Sequence, residues 1–292
     1  MRQRKWAALF SVILFIASLT SLFMNGLNLG LDFTGGTQIS VSFTESVDAN
    51  IIREELHQSG FEQAMVQAYS PHEISIRLAP LRGITQESLK SQLLLIMPHG
   101  TINEINYIGP EVGSTLMTNG ILAIIVSLIA IMIYIALRFD YRFAISAAVA
   151  LIHDPILILG IFSFFHLEFN LIVLAAVLTV IGYSLNDTIV VYDRVRENFR
   201  KIRKATPTEI MDLSINETLS RTIMTSGLTL LVVIALFVFG GAMIHNFALA
   251  LIIGIVVGTY SSIYIAGSLA VTLGLNRESL MPTTKKLEDH LP

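Results

Sequence analysis

Apolar residues in this chain gather into six blocks, Trp6–Met24, Leu116–Leu137, Phe143–Phe165, Leu171–Tyr192, Thr222–Phe239 and Phe247–Leu273, separated by polar stretches. At about 1.5 Å rise per residue, each block can cross a hydrocarbon core about 30 Å thick. The pattern predicts a polytopic α-helical membrane protein with six transmembrane helices. The first block follows Arg2, Arg4 and Lys5, as a signal peptide would. It is long for a signal segment, and its exit Ser21-Leu22-Phe23-Met24-Asn25 lacks a small-x-small cleavage site, so it reads as an uncleaved helix.

The segment between the first two blocks has a different period. Ile39, Val41 and Phe43 alternate along Thr37–Phe43, the signature of a strand with one buried face. Asp48 starts a helix carrying Ile51, Ile52 and Leu56 and ending at Gly60. Ala64–Tyr69 reads as a strand, Ser70-Pro71-His72 as a turn, and Ile74, Ile76 and Leu78 alternate again. Thr85 is the expected cap of a second helix with Leu89, Leu93 and Leu94 on one face, stopped by Pro98 and Gly100. Thr101–Ile108 is the last strand. The order β-α-β-β-α-β predicts a ferredoxin-like α+β domain.

Composition narrows the class. The chain of 292 residues is 53% hydrophobic and 14% charged, with a mean hydropathy of +0.67. A soluble domain carries about 25% charge, so soluble, disordered and coiled-coil classes are excluded. Cysteine is absent, which removes disulfides and thiolate metal sites. His57, His72 and His99 are scattered and read as surface residues, and no metal or cofactor is expected.

Charge sets the orientation. Fifteen of the nineteen Lys and Arg residues lie at the N-terminus, in loops 138–142 and 193–221, and in the tail from Gly274. The opposite short loops 166–170 and 240–246 have none. Positive charge stays inside, so both termini are expected in the cytoplasm. The expected organisation is 1–25 N-terminus and first helix, 26–115 periplasmic domain, 116–273 a five-helix bundle with cytoplasmic loop 193–221, and 274–292 a cytoplasmic tail.

In that loop Val195, Phe199 and Ile202 recur at helical spacing beside Arg194, Arg196, Arg200, Lys201, Arg203 and Lys204. This basic amphipathic helix continues the fourth crossing and suits either an anchor on anionic lipid or a docking surface. Thr206-Pro207-Thr208-Glu209 has the form of a capping box, so a new helix starts there and runs toward Arg221.

Ionisable residues inside the apolar blocks are the candidate chemistry, because each costs about 2.5–3.5 kcal/mol at mid-bilayer on insertion scales. Asp154 is central in the third block, between His153 and Pro155, and the proline is expected to bend the helix. Asp187 lies in the polar patch Gly182-Tyr183-Ser184-Leu185-Asn186-Asp187-Thr188 of the fourth block. Arg221 opens the antiparallel fifth block, at an expected depth similar to that of Asp187. A carboxylate alternating between protonated and Arg-paired forms is the unit of a proton relay; a fixed Asp–Arg pair would only hold two helices together. The residues alone leave both readings open. Asp154, Asp187 and Arg221 are also expected to need facing helices from a second six-helix half to shield them from lipid. Gly254-x-x-x-Gly258 permits close helix packing and carries no chemistry.

Two stretches carry a family resemblance. Gly30-Leu31-Asp32-Phe33-Thr34-Gly35-Gly36-Thr37 resembles the double-glycine signature of the SecD/SecF protein-export family. Gly182 through Asn198, with Ser184, Asn186 and Asp187, is similar to a fourth-helix motif of that family, and Arg221-Thr222-x-x-Thr225-Ser226-Gly227 also matches. With the six-helix layout and single outer domain, the resemblance spans essentially the whole chain.

The resemblance implies a multi-pass bacterial inner-membrane translocase subunit, not an enzyme. It implies pairing with SecD, work beside the SecYEG channel and the SecA motor with YajC/YidC as further associates, and an unfolded secretory polypeptide as client. It places Asp187, Arg221 and Asp154 in proton transport driven by the proton-motive force. Asp32, Phe33, Gly35 and Gly36 then form a motif that is either structural or ligand-contacting. Gly35 and Gly36 allow backbone angles closed to other residues, and Asp32 is placed to cap the turn. Rivals are half of a proton-driven small-molecule exporter of the resistance-nodulation-division superfamily and a non-conducting assembly scaffold. An intramembrane hydrolase is disfavoured, since neither H-E-x-x-H nor G-x-S-x-G occurs in the helices. Membrane lipids are the remaining partner, and nothing points to nucleic acid.

Overall fold

The computed structural model describes residues 4–61, 64–79 and 86–276. In chain order its elements are α1 Arg4–Asn25, β1 Asn28–Leu29, α2 Leu31–Thr34, β2 Gly36–Phe43, α3 Ala49–Gln58, β3 Met65–Ser70, β4 Glu73–Leu78, α4 Gln86–Ile96 and β5 Gly100–Ile108. Then follow α5 Pro110–Arg138, α6 Tyr141–Phe164, β6 Glu168–Phe169, α7 Leu171–Lys201, α8 Pro207–Phe239 and α9 Ala242–Ser261. A π-helical turn Ser262–Ala266 joins α9 to α10 Gly267–Thr272.

Six helices are long and apolar enough to span a bilayer: α1, α5, α6, α7, α8 and the α9–α10 unit. All six crossings expected from the apolar blocks are present. Burial sorts them by role. About three fifths of the apolar window of α6 and more than half of that of α7 are buried within the chain, against about a tenth for α1 and α5. Thus α6, α7 and α9 form the core of the bundle, and α1, α5 and α8 turn wide apolar faces outward.

The segment between α1 and α5 has the element order read from its alternation. β2 to β5 form a four-stranded antiparallel sheet in the order β3-β4-β2-β5. Ile39, Val41, Ile74 and Ile76 project from β2 and β4 into a core closed by Ile52 and Leu56 of α3 and Leu89 and Leu93 of α4. Asp48 caps α3 by accepting the Asn50 N–H at 2.9 Å. The expected cap Thr85 lies outside the described residues, as do Arg2 and the chain from residue 277.

Two helix starts differ from the apolar blocks, and one helix runs through a proline. α5 begins at Pro110, six residues before the apolar run, because Pro at the first turn fits a helix start. α8 begins at the expected capping box, where Thr206 and Glu209 bond reciprocally, and then runs without a break into the fifth crossing. α6 continues through Pro155. The positive end of the bundle is tied by Asn198, whose amide donates to Ser214 at 2.9 Å and Glu217 at 2.8 Å, clamping α7 to α8.

A smaller feature escaped the periodicity. β1 and β6 pair in parallel, Asn28 with Glu168 and Leu29 with Phe169, joining the exit of α1 to the α6–α7 turn. Two residues per strand are too few to show a period of two.

Candidate functional site

Asp154 is fully buried at the middle of α6. One carboxylate oxygen lies 3.0 Å from Nδ1 of His153. The other accepts from the Ser184 hydroxyl of α7 at 2.6 Å and the Ser261 hydroxyl of α9 at 2.7 Å. His153 stacks on Phe15 of α1, rings 6.0 Å apart and 7° from parallel, and its Nε2 is buried without a hydrogen-bond partner. Hydroxyls can serve either charge state of the acid, donating to a carboxylate or accepting from a carboxylic acid.

The π-helical turn starts beside this site. Ser262 donates to the Gly258 carbonyl at 2.8 Å, and Thr188 Oγ1 donates to Ser262 Oγ at 3.0 Å. Such bulges are frequent at functional sites because they re-aim side chains and disturb the regular hydrogen-bond ladder. Close approach of α9 to α7 makes the cluster possible. A Cβ on Gly254 would overlap the Val180 side chain, and one on Gly258 would lie 3.0 Å from Ser184 Cβ. The small residues of the Gly254-x-x-x-Gly258 pattern therefore set the distance across which Ser184 and Ser261 reach one carboxylate.

Asp187 is one turn further along α7, 4% exposed. Its carboxylate accepts from Ser226 of α8 at 3.5 Å. Ser226 in turn is 2.8 Å from Thr259 Oγ1 of α9 and accepts from Tyr183 OH at 3.3 Å. The result is a polar seam of two carboxylates and several hydroxyls shared by α6, α7, α8 and α9.

Arg221 makes no hydrogen bond or ion pair with it among the described residues, although its charge reaches Asp187. Among the described residues no ion pair involves Asp187, and Arg221 is exposed. Arg221 precedes Ser226 by five residues, about 7.5 Å along α8. The expectation of similar depth is therefore off by more than one helical turn. Shielding also differs from expectation: Asp154 and Asp187 are covered by this chain's own helices, and only Arg221 is left uncovered. In the fourth-helix motif Ser184 points inward to Asp154, whereas Gly182 and Asn186 lie on the exposed face of α7 with Ala175 and Thr179.

The double-glycine stretch sits at the sheet end of the bundle. Gly35 has φ +69°, and a Cβ there would lie 2.9 Å from Pro110 Cα; Gly36 has φ +128° and abuts the Leu78 carbonyl. Both positions exclude a side chain on conformational and steric grounds. Phe33 is buried and stacks on Phe169, rings 5.9 Å apart. Asp32 caps a distant helix instead of its own turn: Oδ2 accepts the Leu171 N–H at 2.9 Å, at the first residue of α7.

Sequence reading missed Thr259, Ser261 and Ser262, and named Ser226 only as part of the Arg221–Gly227 motif. The signal was the polar run Thr259-Tyr260-Ser261-Ser262 inside an apolar helix. It also missed Arg77 and Glu168, which pair at 3.1 Å beside Asp32.

These features define a multi-pass membrane protein in which a small α+β domain is tied to a six-helix bundle with buried carboxylates. A family model described as the C-terminal region of the protein export membrane protein SecD/SecF matches residues 89–276, and one for the SecD/SecF GG motif matches residues 20–47. The chain belongs to the SecD/SecF family of protein export membrane proteins. It is 52% identical to the protein translocase subunit SecF of Vibrio alginolyticus, across 97% of this chain and 91% of that protein. It is 43% identical to SecF of Escherichia coli O157:H7, across 96% and 89%. The crystal structure of SecDF from Thermus thermophilus superposes with a TM-score of 0.87 at 36% identity, over 94% of this chain. A super-membrane-facing form of SecDF gives a TM-score of 0.70 at the same identity and coverage. This chain spans 38% of the length of each SecDF chain.

Proposed function

We propose that this chain is one half of a proton-driven motor for polypeptide export, working with a SecD-type second half in the bacterial inner membrane. Both termini and loop 193–221 face the cytoplasm, and the sheet domain faces the periplasm. Asp187 and Asp154 are the proton-accepting groups, and Arg221 is a cation that approaches Asp187 in another state of the cycle. The observation that carries this reading is that both intramembrane carboxylates rest on hydroxyls and, among the described residues, neither rests on an Arg or Lys. A static Asp–Arg pair would put a guanidinium on the carboxylate; a group that exchanges protons needs partners that tolerate both charge states, as hydroxyls and the neighbouring His153 do.

Three features support a second half. The small and polar face Ala175, Thr179, Gly182 and Asn186 of α7 is exposed at helical spacing, Arg221 is exposed on α8, and the SecDF chains that superpose on this one are much longer. A proton crossing a potential of about 150 mV releases about 3.5 kcal/mol, enough to bias a domain between orientations. That suits prevention of backsliding by an unfolded secretory polypeptide leaving the SecYEG channel, with SecA acting from the other side and YajC/YidC as associates. The test is export in inverted vesicles with and without a proton gradient. Asp187→Asn should remove the gradient-dependent part; unaltered gradient dependence in that variant sinks the assignment.

A further inference from the structure

The sheet domain and the membrane bundle meet at a junction built from four separate segments. Arg77 of β4 and Glu168 of β6 form an ion pair at 3.1 Å, and both residues are more than nine tenths buried. The Arg77 guanidinium also reaches the Leu29 carbonyl and the Gln67 side chain, each at 3.4 Å. The Glu168 carbonyl accepts from Asn246 of α9 at 3.2 Å. The Gly30 N–H donates to the Phe169 carbonyl at 2.8 Å, and a Cβ on Gly30 would press into Asn170 and Glu168. Asp32 then holds the first N–H of α7. Removing one partner of a buried ion pair strands the other charge, so the junction is all-or-none, not gradually adjustable.

We propose that Arg77, Glu168 and Asp32 form a rigid joint that passes displacement of α7 to the sheet domain, making them positioning residues for the proton-driven movement. This rests on the reading above, in which Asp187 of the same helix is the proton acceptor. The geometry supplies the linkage. Asp187 is sixteen residues from Leu171, on one unbroken helix. A shift of that helix on proton transfer moves its first turn, and through it Asp32 and Glu168. Arg77 lies next to the end of β4, paired with Gln38 of β2 on one side and Met65 of β3 on the other, so the sheet follows as a body.

The chain has no cysteine, which makes distance measurement direct. Spin labels at Glu104→Cys on β5 and Phe239→Cys at the sheet end of α8, both exposed positions, report domain against bundle. The full chain is reconstituted in liposomes with its SecD-type half, and gradient-dependent export is measured in parallel. Arg77→Gln should broaden the distance distribution and remove gradient-dependent export while partner association is kept; Arg77→Lys should recover both in part. A narrow distribution in Arg77→Gln, or a broad one with full gradient-dependent export, overturns the joint. Should Arg77→Gln fail to accumulate, Asp32→Ala leaves the ion pair in place and is read by the same two outcomes. Asp187→Asn separates the two ideas: it should abolish gradient dependence and leave the distribution narrow. If it does so while Arg77→Gln changes neither readout, the joint is wrong and the motor reading stands. If Asp187→Asn exports normally, the motor reading fails and the proposed role of the joint goes with it.

Discussion

The Ser184 hydroxyl stands 2.6 Å from the Asp154 carboxylate, which ties the centre of α6 to α7 one turn from Asp187. Ser184, the partner of Asp154, and Asp187 therefore lie three residues apart on one buried face of α7. Ser184→Ala leaves Asp154 one hydroxyl donor, Ser261, and His153. Losing one hydrogen bond to a buried charged group costs about 1–3 kcal/mol. The expected outcome is a lower unfolding temperature in detergent and reduced gradient-dependent export, with Ser184→Thr closer to the unmodified chain.

Gly254 should be intolerant of any side chain. A Cβ there collides with the branched Val180, and overpacking costs about 1–3 kcal/mol. Gly254→Ala should lower thermal stability and loosen the Asp154 cluster, which depends on the α7–α9 distance. Val180→Ala in the same chain should restore much of the loss. No recovery in the double variant would show that the contact is not what sets the spacing.

Apolar blocks disclosed the six crossings and alternation disclosed the sheet, because both depend on nearest-neighbour periodicity that one chain carries. Asp154 and Asp187 were legible because charge is rare in apolar helices. Their surroundings were not. Ser226, Ser261 and Thr259 are ordinary residues in helices, and their meaning depends on the register between α7, α8 and α9, which small-residue contacts such as Gly258–Ser184 fix in three dimensions. Arg221 shows the same limit. Counting residues from the loop put it level with Asp187, but α7 and α8 both extend well beyond their apolar blocks, so the pairing register falls at Ser226. Arg77 and Glu168 lie 91 positions apart, and no local pattern joins them.

Glu168 should make the sheet-end junction sensitive to pH. Burial pushes its carboxyl above the usual glutamate range, the Arg77 guanidinium pulls it partly back, and the Asp32 carboxylate adds to the rise. A group whose folded-state value is raised stabilises the assembled junction fully below the ordinary glutamate range and loses that contribution as pH rises through the shifted value. Folded stability should therefore fall as pH rises through that value. The charged groups that act on the Glu168 carboxyl are Arg77 from β4 and Asp32 from α2, while the Asn246 amide from α9 donates to the Glu168 backbone carbonyl. The unfolding temperature in detergent should rise as pH falls from about 8 to about 5, and Glu168→Gln should flatten that dependence. A fall in unfolding temperature on acidification that Glu168→Gln removes would reverse the sign and refute the argument.

Asp187 separates a proton relay from a static clamp. In this conformation its partner is the Ser226 hydroxyl, and Arg221 is already exposed without it. Asp187→Asn keeps an acceptor for Ser226 and strands no cation, so folding, insertion and abundance should be unchanged. A clamp would behave differently: breaking a buried ion pair from one side costs about 3–5 kcal/mol, and protein levels would fall. Activity gives the second arm. An amide cannot exchange the proton, so gradient-dependent export should be lost at normal abundance. The charge-swapped pair Asp187→Arg with Arg221→Asp should not restore it. The swap moves the acidic group from α7 to an exposed position on α8, about 7.5 Å along that helix from Ser226. Recovery of export by the swap would mean that only the attraction between the two charges matters, and the relay assignment would have to be withdrawn.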